Sequence, residues 1–278
     1  MIEIYNAITN IANQIEKNVF IDYNNFTSET KTEQQIHEDV YKYCSDVIET
    51  EFEYLKNVKS IIGKDKKQFC SINENGKYIV SFVAIDNIEL LDLNFSLGTI
   101  FGIYENEFEA KNLKAAIYIT YGPTFQLVFA SKEEGVKYFS NEHGEFIQQD
   151  PLLLNSCGKI NSTAGKASEF TTEHKVLLDS FFNEGYRLRM SNSLCLDTHQ
   201  ILFKKGGIYS SPATPSNEEG TLEVIFEAFP ISFIIELANG EAIDGKNRIL
   251  DIKAPSLHQK TPIYFGSKDE IARVKSTF

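Results

Sequence analysis

The sequence has little positive charge for its length. Its 278 residues contain 27 Lys and Arg against 39 Asp and Glu, so the formal net charge at pH 7 is −12. A field of this sign repels nucleic-acid phosphates and anionic membrane surfaces. It also slows the capture of anionic substrates unless a local basic pocket intervenes. We therefore expect neither nucleic acid nor a membrane as a partner.

Cysteine is also scarce and scattered. The four cysteines, Cys44, Cys70, Cys157 and Cys195, form no C-x-x-C pair. A structural zinc site would need paired spacings of Cys and His, and these are absent. In a chain of this size, isolated cysteines indicate reduced thiols of a cytosolic protein rather than a disulfide framework.

Long apolar runs are missing as well. No run reaches the ~18 residues that a transmembrane helix needs. The residues after Met1 read IEIYN, which lacks the basic and apolar stretches of a signal peptide. With 42% apolar and 24% charged residues, the composition is that of an ordinary globular protein. We therefore expect a cytoplasmic location.

The first half of the chain changes periodicity once. Apolar residues recur at helical spacing from Ile4 to Phe20 and again from Ile36 to Leu55, with a polar loop at residues 24–32 between them. This pattern predicts two amphipathic helices. From Lys77 to Ala130, and on to Gln149, β-branched and aromatic runs broken by turn residues predict a meander of antiparallel strands.

The second half alternates between the two patterns. Helices are predicted at 173–182, 191–204, 224–238 and from 268, and strands at 207–213, 249–250 and 263–265. Because the pattern changes near residues 150–160, we predict an α/β protein with two lobes. An N-terminal lobe, residues 1–156, would carry helices and an antiparallel sheet. A C-terminal lobe, residues 157–278, would carry a mixed sheet and helices.

Six segments resemble, in the same order, motifs of the class I fructose-1,6-bisphosphatases. They are residues 77–82 (KYIVSF), 98–104 (GTIFGIY), 121–122 (YG), 197–199 (DTH), 226–230 (FEAFP) and 257–267 (LHQKTPIYFGS). Each segment alone is weak, but six in register are specific. The resemblance implies a layered α/β/α/β/α sandwich, the fructose-1,6-bisphosphatase-like fold. It also implies a homo-oligomer, either a dimer or a tetramer.

The same resemblance draws attention to the end of the predicted strand at residues 78–82. That family hydrolyses a sugar phosphate with divalent ions held by carboxylates, since hard ions prefer oxygen ligands. Its motif Asp-Pro-Leu-Asp-Gly-Ser-Ser corresponds here to VAIDNIE, residues 83–89. The first Asp, which bridges metals in the family, is Val83, and the second is Asp86. The Gly-Ser pair that holds the phosphate is Asn87-Ile88.

The resemblance retains one further metal-binding acid, Glu227. The metal-ligand candidates are therefore Asp86 and Glu227, with Glu74 as a recruit that could slide into range. The catalytic candidates are Asp86, Glu227 and Glu89. Two retained carboxylates would hold at most one weakly bound Mg²⁺, so we expect no firmly bound cofactor.

The family's sugar-phosphate pocket is altered too. Arg189 corresponds to an arginine that reaches across from a neighbouring subunit, and the tyrosine after it is Met190. A pocket lysine falls at Thr221, and a nearby arginine position is Glu223, a charge reversal that disfavours phosphate. Lys166 could supply a cation from a different position. The predicted ligand-binding residues are Asn87, Lys166, Arg189, Met190 and Thr221.

Several of these residues have a plainer interpretation. Asp86 and Glu227 could be retained functional groups or hydrogen-bonded acids left at an inactive site, since unpaired buried acids are costly. Cys195 and His199 lie four residues apart on a predicted helix, where a thiol and an imidazole can form a nucleophile. Core packing is the better interpretation of that pair.

Three functional hypotheses follow. The leading one is a fructose-1,6-bisphosphatase-like protein that has lost metal-dependent phosphatase chemistry. Its pocket would be repurposed for another reaction or for binding a small molecule. The second is a catalytically silent regulatory or structural subunit. The third is residual Mg²⁺-dependent sugar phosphatase activity through Asp86, Glu227 and Glu74, lowered about 10³-fold or more by the loss of a bridging carboxylate.

Overall fold

The computed structural model describes residues 1–28 and 30–278. The predicted loop at 24–32 therefore contains one residue, Glu29, that lies outside the described residues. The α-helices are α1 Ile2–Ile15, α2 Glu33–Phe52, α3 Thr172–Asn183, α4 Leu194–Phe203, α5 Phe229–Leu237 and α6 Lys268–Thr277. A π-helical segment, Glu16–Ile21, extends α1, and another, Val224–Ala228, precedes α5.

Fifteen strands are present in the described residues. The first eight are β1 Val58–Gly63, β2 Cys70–Ser71, β3 Tyr78–Asp86, β4 Leu97–Glu105, β5 Leu113–Tyr121, β6 Gln126–Ser131, β7 Gly135–Glu142 and β8 Glu145–Gln149. The others are β9 Ile160–Thr163, β10 Arg187–Leu188, β11 Ile208–Ser211, β12 Leu222–Glu223, β13 Glu241–Ile243, β14 Lys260–Thr261 and β15 Ile263–Gly266.

The strands form two main sheets. The larger has eight strands in the order β2-β1-β3-β4-β5-β6-β7-β8, and the smaller has five in the order β10-β9-β11-β15-β13. The large sheet is antiparallel except where β1 runs parallel to β3. In the small sheet β9 is parallel to β10 and β11, while β15 is antiparallel to β11 and β13. The pair β12-β14 stands apart.

Three apolar clusters hold the layers together. Alternate residues of β3 face opposite ways: Val80 and Phe82 pack against α1 and α2, and Ile79 and Val83 pack in the cluster that contains α4 and α5. That second cluster also contains residues of the small sheet, whose far face packs against α3 and α6. The order is helices, large sheet, helices, small sheet, helices. The predicted α/β/α/β/α sandwich is confirmed.

Some local predictions were wrong. Residues 249–250 belong to a 3-10 helix, Ile249–Asp251, not to a strand. The helix predicted from Ser191 begins at Leu194, with Ser193 as its N-cap. The short strands β1, β2, β9, β10, β12, β13 and β14 were not predicted, because runs of two to six residues carry little periodicity and form only through pairing with neighbours. The lobe limits 1–156 and 157–278 stay a prediction. Helices α4 and α5 belong to the second half of the chain but pack on the large sheet, which the first half forms.

The helices of the described part are each too short or too polar to cross a membrane.

Candidate active site

The site is built where two parallel strands of the large sheet end side by side. Gly63 of β1 pairs with Phe82 of β3, and the Lys64 backbone N–H donates to the Phe82 carbonyl oxygen at 2.9 Å. The carboxyl ends of neighbouring parallel strands meet at one edge of a sheet, where α/β proteins commonly bind ligands. The side chains of Lys64 and Asp65 therefore emerge beside the last residues of β3.

A β-bulge shapes the end of β3. Val83 pairs with Ile100 and Asp86 pairs with Gly98, so three steps along β3 match two along β4. One extra residue on a strand re-aims the side chains that follow it. The next residue, Asn87, has φ of 56°, a left-handed conformation that Asn tolerates better than most residues. Its amide donates to the Asn192 carbonyl oxygen at 2.7 Å.

Asp86 is fixed by the N-terminus of α4. Its Oδ2 accepts hydrogen bonds from the Ser193 hydroxyl at 2.7 Å and from the Cys195 backbone N–H at 2.8 Å. A carboxylate is stabilised at a helix N-terminus by free N–H groups and by the helix dipole. Gly98 permits this approach, because a Cβ there would lie 2.3 Å from the Cβ of Cys195. Asp86 is only 7% exposed.

Glu227 lies in the π-helical segment before α5 and is held differently. Its Oε1 lies 2.6 Å from the Lys64 ammonium, and its Oε2 accepts the Glu223 backbone N–H at 2.8 Å. Glu227 is 3% exposed, whereas the Lys64 side chain is 30% exposed. π-helical segments within helices are frequent at functional sites.

In the Lys64–Glu227 pair, the attraction between the two charges opposes the effect of burial on both pKa values. Burial alone would lower the pKa of the Lys64 ammonium, but the carboxylate of Glu227, followed by those of Glu223 and Asp86, raises that pKa above its ordinary value. Burial raises the pKa of Glu227, and the Lys64 ammonium opposes that rise. Lys64 is therefore protonated at neutral pH.

These groups open on one pocket of about 480 Å³. It is lined by Tyr41, Lys64, Asp65, Val83, Ile85, Asp86, Asn87, Ile88, Glu89, Glu223 and Glu227. Five of these side chains are carboxylates and one, Lys64, is an ammonium. Outside the lining, the His258 imidazole lies 2.8 Å from the Glu223 carboxylate. The pocket is consequently acidic, with one lining cation.

The structure brings some of the predicted residues together and separates others. Asp86, Glu227, Glu89 and Asn87 all line this pocket. Glu74 is exposed in the turn before β3 and does not line it. The remaining ligand-binding candidates do not line it either: Lys166, Arg189, Met190 and Thr221, all of which are exposed. The roles assigned to these residues stay predictions.

Sequence reasoning missed Lys64 and Asp65. The resemblance pointed to Glu74, whereas the pocket takes its residues from the end of β1, directly after the buried run Ile61–Gly63. The signal was a short apolar run followed by charged residues. That signal becomes informative only once β1 is known to pair in parallel with β3.

Cys195 and His199 have different partners on α4. The Tyr118 hydroxyl lies 3.1 Å from His199 Nδ1, and the Cys195 thiol lies 3.9 Å from the Thr99 carbonyl oxygen. Burial raises the pKa of Cys195 well above its ordinary value, and burial lowers that of His199 to about 4. A thiol with a raised pKa is a poor nucleophile. The structure therefore supports the packing interpretation of both residues.

The described residues do not fit a resident cluster of divalent ions. Residues 1–28 and 30–278 contain no group of three or more His, Cys, Asp or Glu side chains arranged to hold a metal. Both oxygens of Glu227 and one oxygen of Asp86 already accept donors from the protein. A metal at Glu227 would be repelled by the Lys64 ammonium beside it.

Comparisons with known proteins cover the whole chain. Residues 1–151 match the family described as "Fructose-1-6-bisphosphatase, N-terminal domain", and residues 154–278 match "Fructose-1-6-bisphosphatase, C-terminal domain". A relative from Campylobacter hominis, named fructose-1,6-bisphosphatase class 1, is 39% identical over 285 aligned residues. The alignment covers 100% of this chain and 100% of the relative. One of the same name from Campylobacter concisus is 39% identical, covering 97% of this chain and 95% of its own.

Solved structures agree on the fold. The structure of Leishmania major fructose-1,6-bisphosphatase in holo form has a TM-score of 0.89 and 26% identity, covering 99% of this chain and 93% of its own. That of a putative sedoheptulose-1,7 bisphosphatase from Toxoplasma gondii has a TM-score of 0.88, with 20% identity over 99% of this chain and 93% of its own. At that identity the second likeness shows the fold alone.

These relatives correct the functional prediction. The hypotheses of lost phosphatase chemistry, of a repurposed pocket and of a catalytically silent subunit are wrong. Relatives 39% identical over their full length bear the name of the enzyme itself. The expectation of no firmly bound cofactor is wrong for the same reason, because that family of enzymes works with divalent ions. A single altered position such as Val83 is weaker evidence about activity than the likeness of the whole chain.

Proposed function

Because the chain belongs to the fructose-1,6-bisphosphatase family, we propose that it hydrolyses a phosphate ester of fructose 1,6-bisphosphate in the pocket at the ends of β1 and β3. The observation that carries this proposal is the full-length likeness to enzymes of that name. The retained acids Asp86 and Glu227 support it, since both line one pocket at the edge where parallel strands end.

The reaction joins water to the phosphorus atom, breaks the ester bond and releases inorganic phosphate and the sugar hydroxyl. Asp65 and Glu89 line the pocket without being fully buried. Their carboxylates can accept the proton of the attacking water, which is general-base catalysis. Asp86, held rigidly by α4, orients the end of β3 against the substrate. Lys64 supplies positive charge to the phosphate group.

Divalent ions are the cofactors that membership of this family implies, and they would polarise the phosphate and activate the water. The described residues do not form a cage for them, so no step above depends on a bound ion.

Three further features are part of the proposal. The chain would form a homo-oligomer, a dimer or tetramer, with the exposed Arg189 and Met190 near a neighbouring subunit. Lys166 and Thr221 would contact the distal part of the sugar phosphate from outside the pocket described above. The cytoplasm would be the location.

The test is phosphate release by the purified chain from fructose 1,6-bisphosphate, a seven-carbon sugar bisphosphate and two sugar monophosphates, with Mg²⁺ or Mn²⁺. We expect turnover that is highest for a bisphosphate. Glu89→Gln should lower kcat/KM by about 100-fold, since it removes a base from the pocket. Glu74→Gln is the matched control outside the pocket, and it should leave the rate unchanged.

Absence of phosphate release from all four sugar phosphates, by protein with a cooperative thermal transition, would overturn the proposal. Equal loss of activity in Glu74→Gln and Glu89→Gln would overturn the assignment of this pocket.

A further inference from the structure

The charge of the pocket poses a problem for an anionic substrate. Its lining contains five carboxylates, and Lys64 is the one cation among those eleven residues. A phosphate group entering such a pocket is repelled unless a cation meets it. The neighbouring imidazole of His258 is already next to Glu223. Lys64 is therefore the group whose position decides whether phosphate can bind.

The backbone holds Lys64 in that position. Its N–H donates to the Phe82 carbonyl oxygen at 2.9 Å, directly after the parallel pairing of Gly63 with Phe82. The lysine side chain is therefore anchored at a strand end rather than on a free loop. Asp65 follows it and lines the same pocket.

The ammonium occupies the coordinating face of Glu227. One carboxylate oxygen lies 2.6 Å from Lys64 Nζ, and the other accepts the Glu223 N–H at 2.8 Å. A divalent ion at Oε1 of Glu227 would lie close to the Lys64 ammonium, and the repulsion between the two cations disfavours a metal at this oxygen. This contact, together with Val83 at the position of the family's bridging Asp, is where the residues present disagree with the relatives' metal chemistry.

An ammonium can serve both the acid and the substrate. It has three N–H donors, of which Glu227 uses one, and the Lys64 side chain retains 30% of its exposure. The remaining donors are available to an anion in the pocket. A lysine acts on phosphate as a point charge and needs no planar geometry.

We propose that the Lys64 ammonium is the fixed cation of this pocket, neutralising Glu227 and binding a phosphate oxygen of the substrate in place of a divalent ion at Glu227. This inference rests on the proposed function for its substrate, a sugar phosphate. Its metal-binding consequence does not depend on turnover. Any divalent ion that the reaction uses then binds away from Glu227.

The first test titrates the substrate-free protein with Mn²⁺ and measures free Mn²⁺ by electron paramagnetic resonance. We expect wild-type affinity to be unchanged by Glu227→Gln, since Glu227 is not a ligand. Lys64→Glu should bind Mn²⁺ about 100-fold more tightly than wild type, because it replaces a cation by a ligand beside Glu227. That gain should disappear in Lys64→Glu/Glu227→Gln.

Lys67→Glu is the matched control, since Lys67 is exposed, lies three residues further on and is outside the pocket lining. It should leave Mn²⁺ affinity close to that of wild type. Tight Mn²⁺ binding by the wild type that Glu227→Gln abolishes would overturn the proposal. So would a Lys64→Glu variant that is folded and gains no affinity.

The second test needs no variant that adds charge. Binding of fructose 1,6-bisphosphate in excess EDTA is measured by calorimetry for wild type and for Lys64→Gln. We expect binding by the wild type and a loss of about 10-fold or more in the variant, because a charged hydrogen bond to phosphate is removed. Equal affinity of the two proteins would overturn the role of Lys64, even if phosphate release were normal.

Discussion

Two regions of this molecule bury carboxylates in opposite ways. At the N-terminus of α4, Asp86 and Asp197 are held by neutral donors: hydroxyls, backbone N–H groups and, for Asp197, the Gln200 amide. At the pocket floor, Glu227 is held by the Lys64 ammonium. Neutral donors fix an acid without cancelling its charge. An ammonium cancels the charge, and its remaining donors can also be used by a ligand.

The difference separates a structural anchor from a functional one. The acids at α4 tie the small-sheet side of the molecule to the end of β3 through Ser191, Ser193 and Cys195. The Glu227–Lys64 pair ties the π-helical segment to the end of β1 and leaves the ammonium partly exposed. Variants of the acids at α4 should therefore change stability, whereas variants of the Glu227–Lys64 pair should change both stability and phosphate binding.

Lys64→Met should have the largest effect on stability. It leaves Glu227 buried without its counter-charge, and breaking a buried pair in this way costs about 4 kcal/mol of unfolding free energy. The double variant Lys64→Met/Glu227→Gln should recover most of that loss, because no buried charge is then left alone. Chemical denaturation of the wild type, the two single variants Lys64→Met and Glu227→Gln, and the double variant measures the unfolding free energies of this double-mutant cycle. A single variant as stable as wild type would contradict the ion pair.

Asp197 should make stability depend on pH. Burial raises its pKa from 3.8 to about 6, against the donors that lower it. The folded state then binds a proton more tightly than the unfolded state, so the unfolding free energy falls as pH rises from about 4 to about 6. The contribution is about 3 kcal/mol and is lost fully above that window.

The measurement is the difference in unfolding free energy between wild type and Asp197→Asn at several pH values. Taking the difference removes the contributions of His174 and His199, whose pKa values burial lowers to about 4 and which act in the opposite direction. A difference that stays constant between pH 4 and pH 7 would show that Asp197 has an ordinary pKa.

Asp86→Ala should cost about 2 kcal/mol, because it removes the acceptor of a hydroxyl and of a helix N–H at a buried site. Asp86→Asn retains an oxygen acceptor and should cost less. Denaturation curves for the two variants make the comparison. If both cost the same, the hydrogen bonds to α4 do not account for the stability of this site.

Glu74→Gln should have the smallest effect, close to zero on stability, because Glu74 is an exposed turn residue outside the pocket lining. Its thermal transition is the measurement. A loss comparable to that of Asp86→Ala would contradict the placement of Glu74 as an exposed turn residue.

The fold was largely predictable because its long elements carry clear periodicity. In β3 and β4 nearly every residue is buried, and alternate side chains fill two different cores. The sequence resemblance added the layer order. The short strands were not predictable from periodicity. In β1, for example, the buried residues do not alternate, and the strand is recognised only by its parallel pairing with β3.

The site was predictable in part. Asp86 and Glu227 were identified from the resemblance, and the structure places both in one pocket. Lys64 and Asp65 were missed, because locating them requires the end of β1. The functional prediction failed because it rested on the replacement at Val83, a single position, whereas the likeness to enzymes of the family extends over the whole chain.

The most direct test of this account measures phosphate release from fructose 1,6-bisphosphate by wild type and Lys64→Gln over a range of Mg²⁺ concentrations. We predict turnover by the wild type and a kcat/KM about 100-fold lower in Lys64→Gln at every Mg²⁺ concentration, since the variant lacks the cation that stabilises the phosphate. A Lys64→Gln protein that matches the wild type would contradict the central role of Lys64.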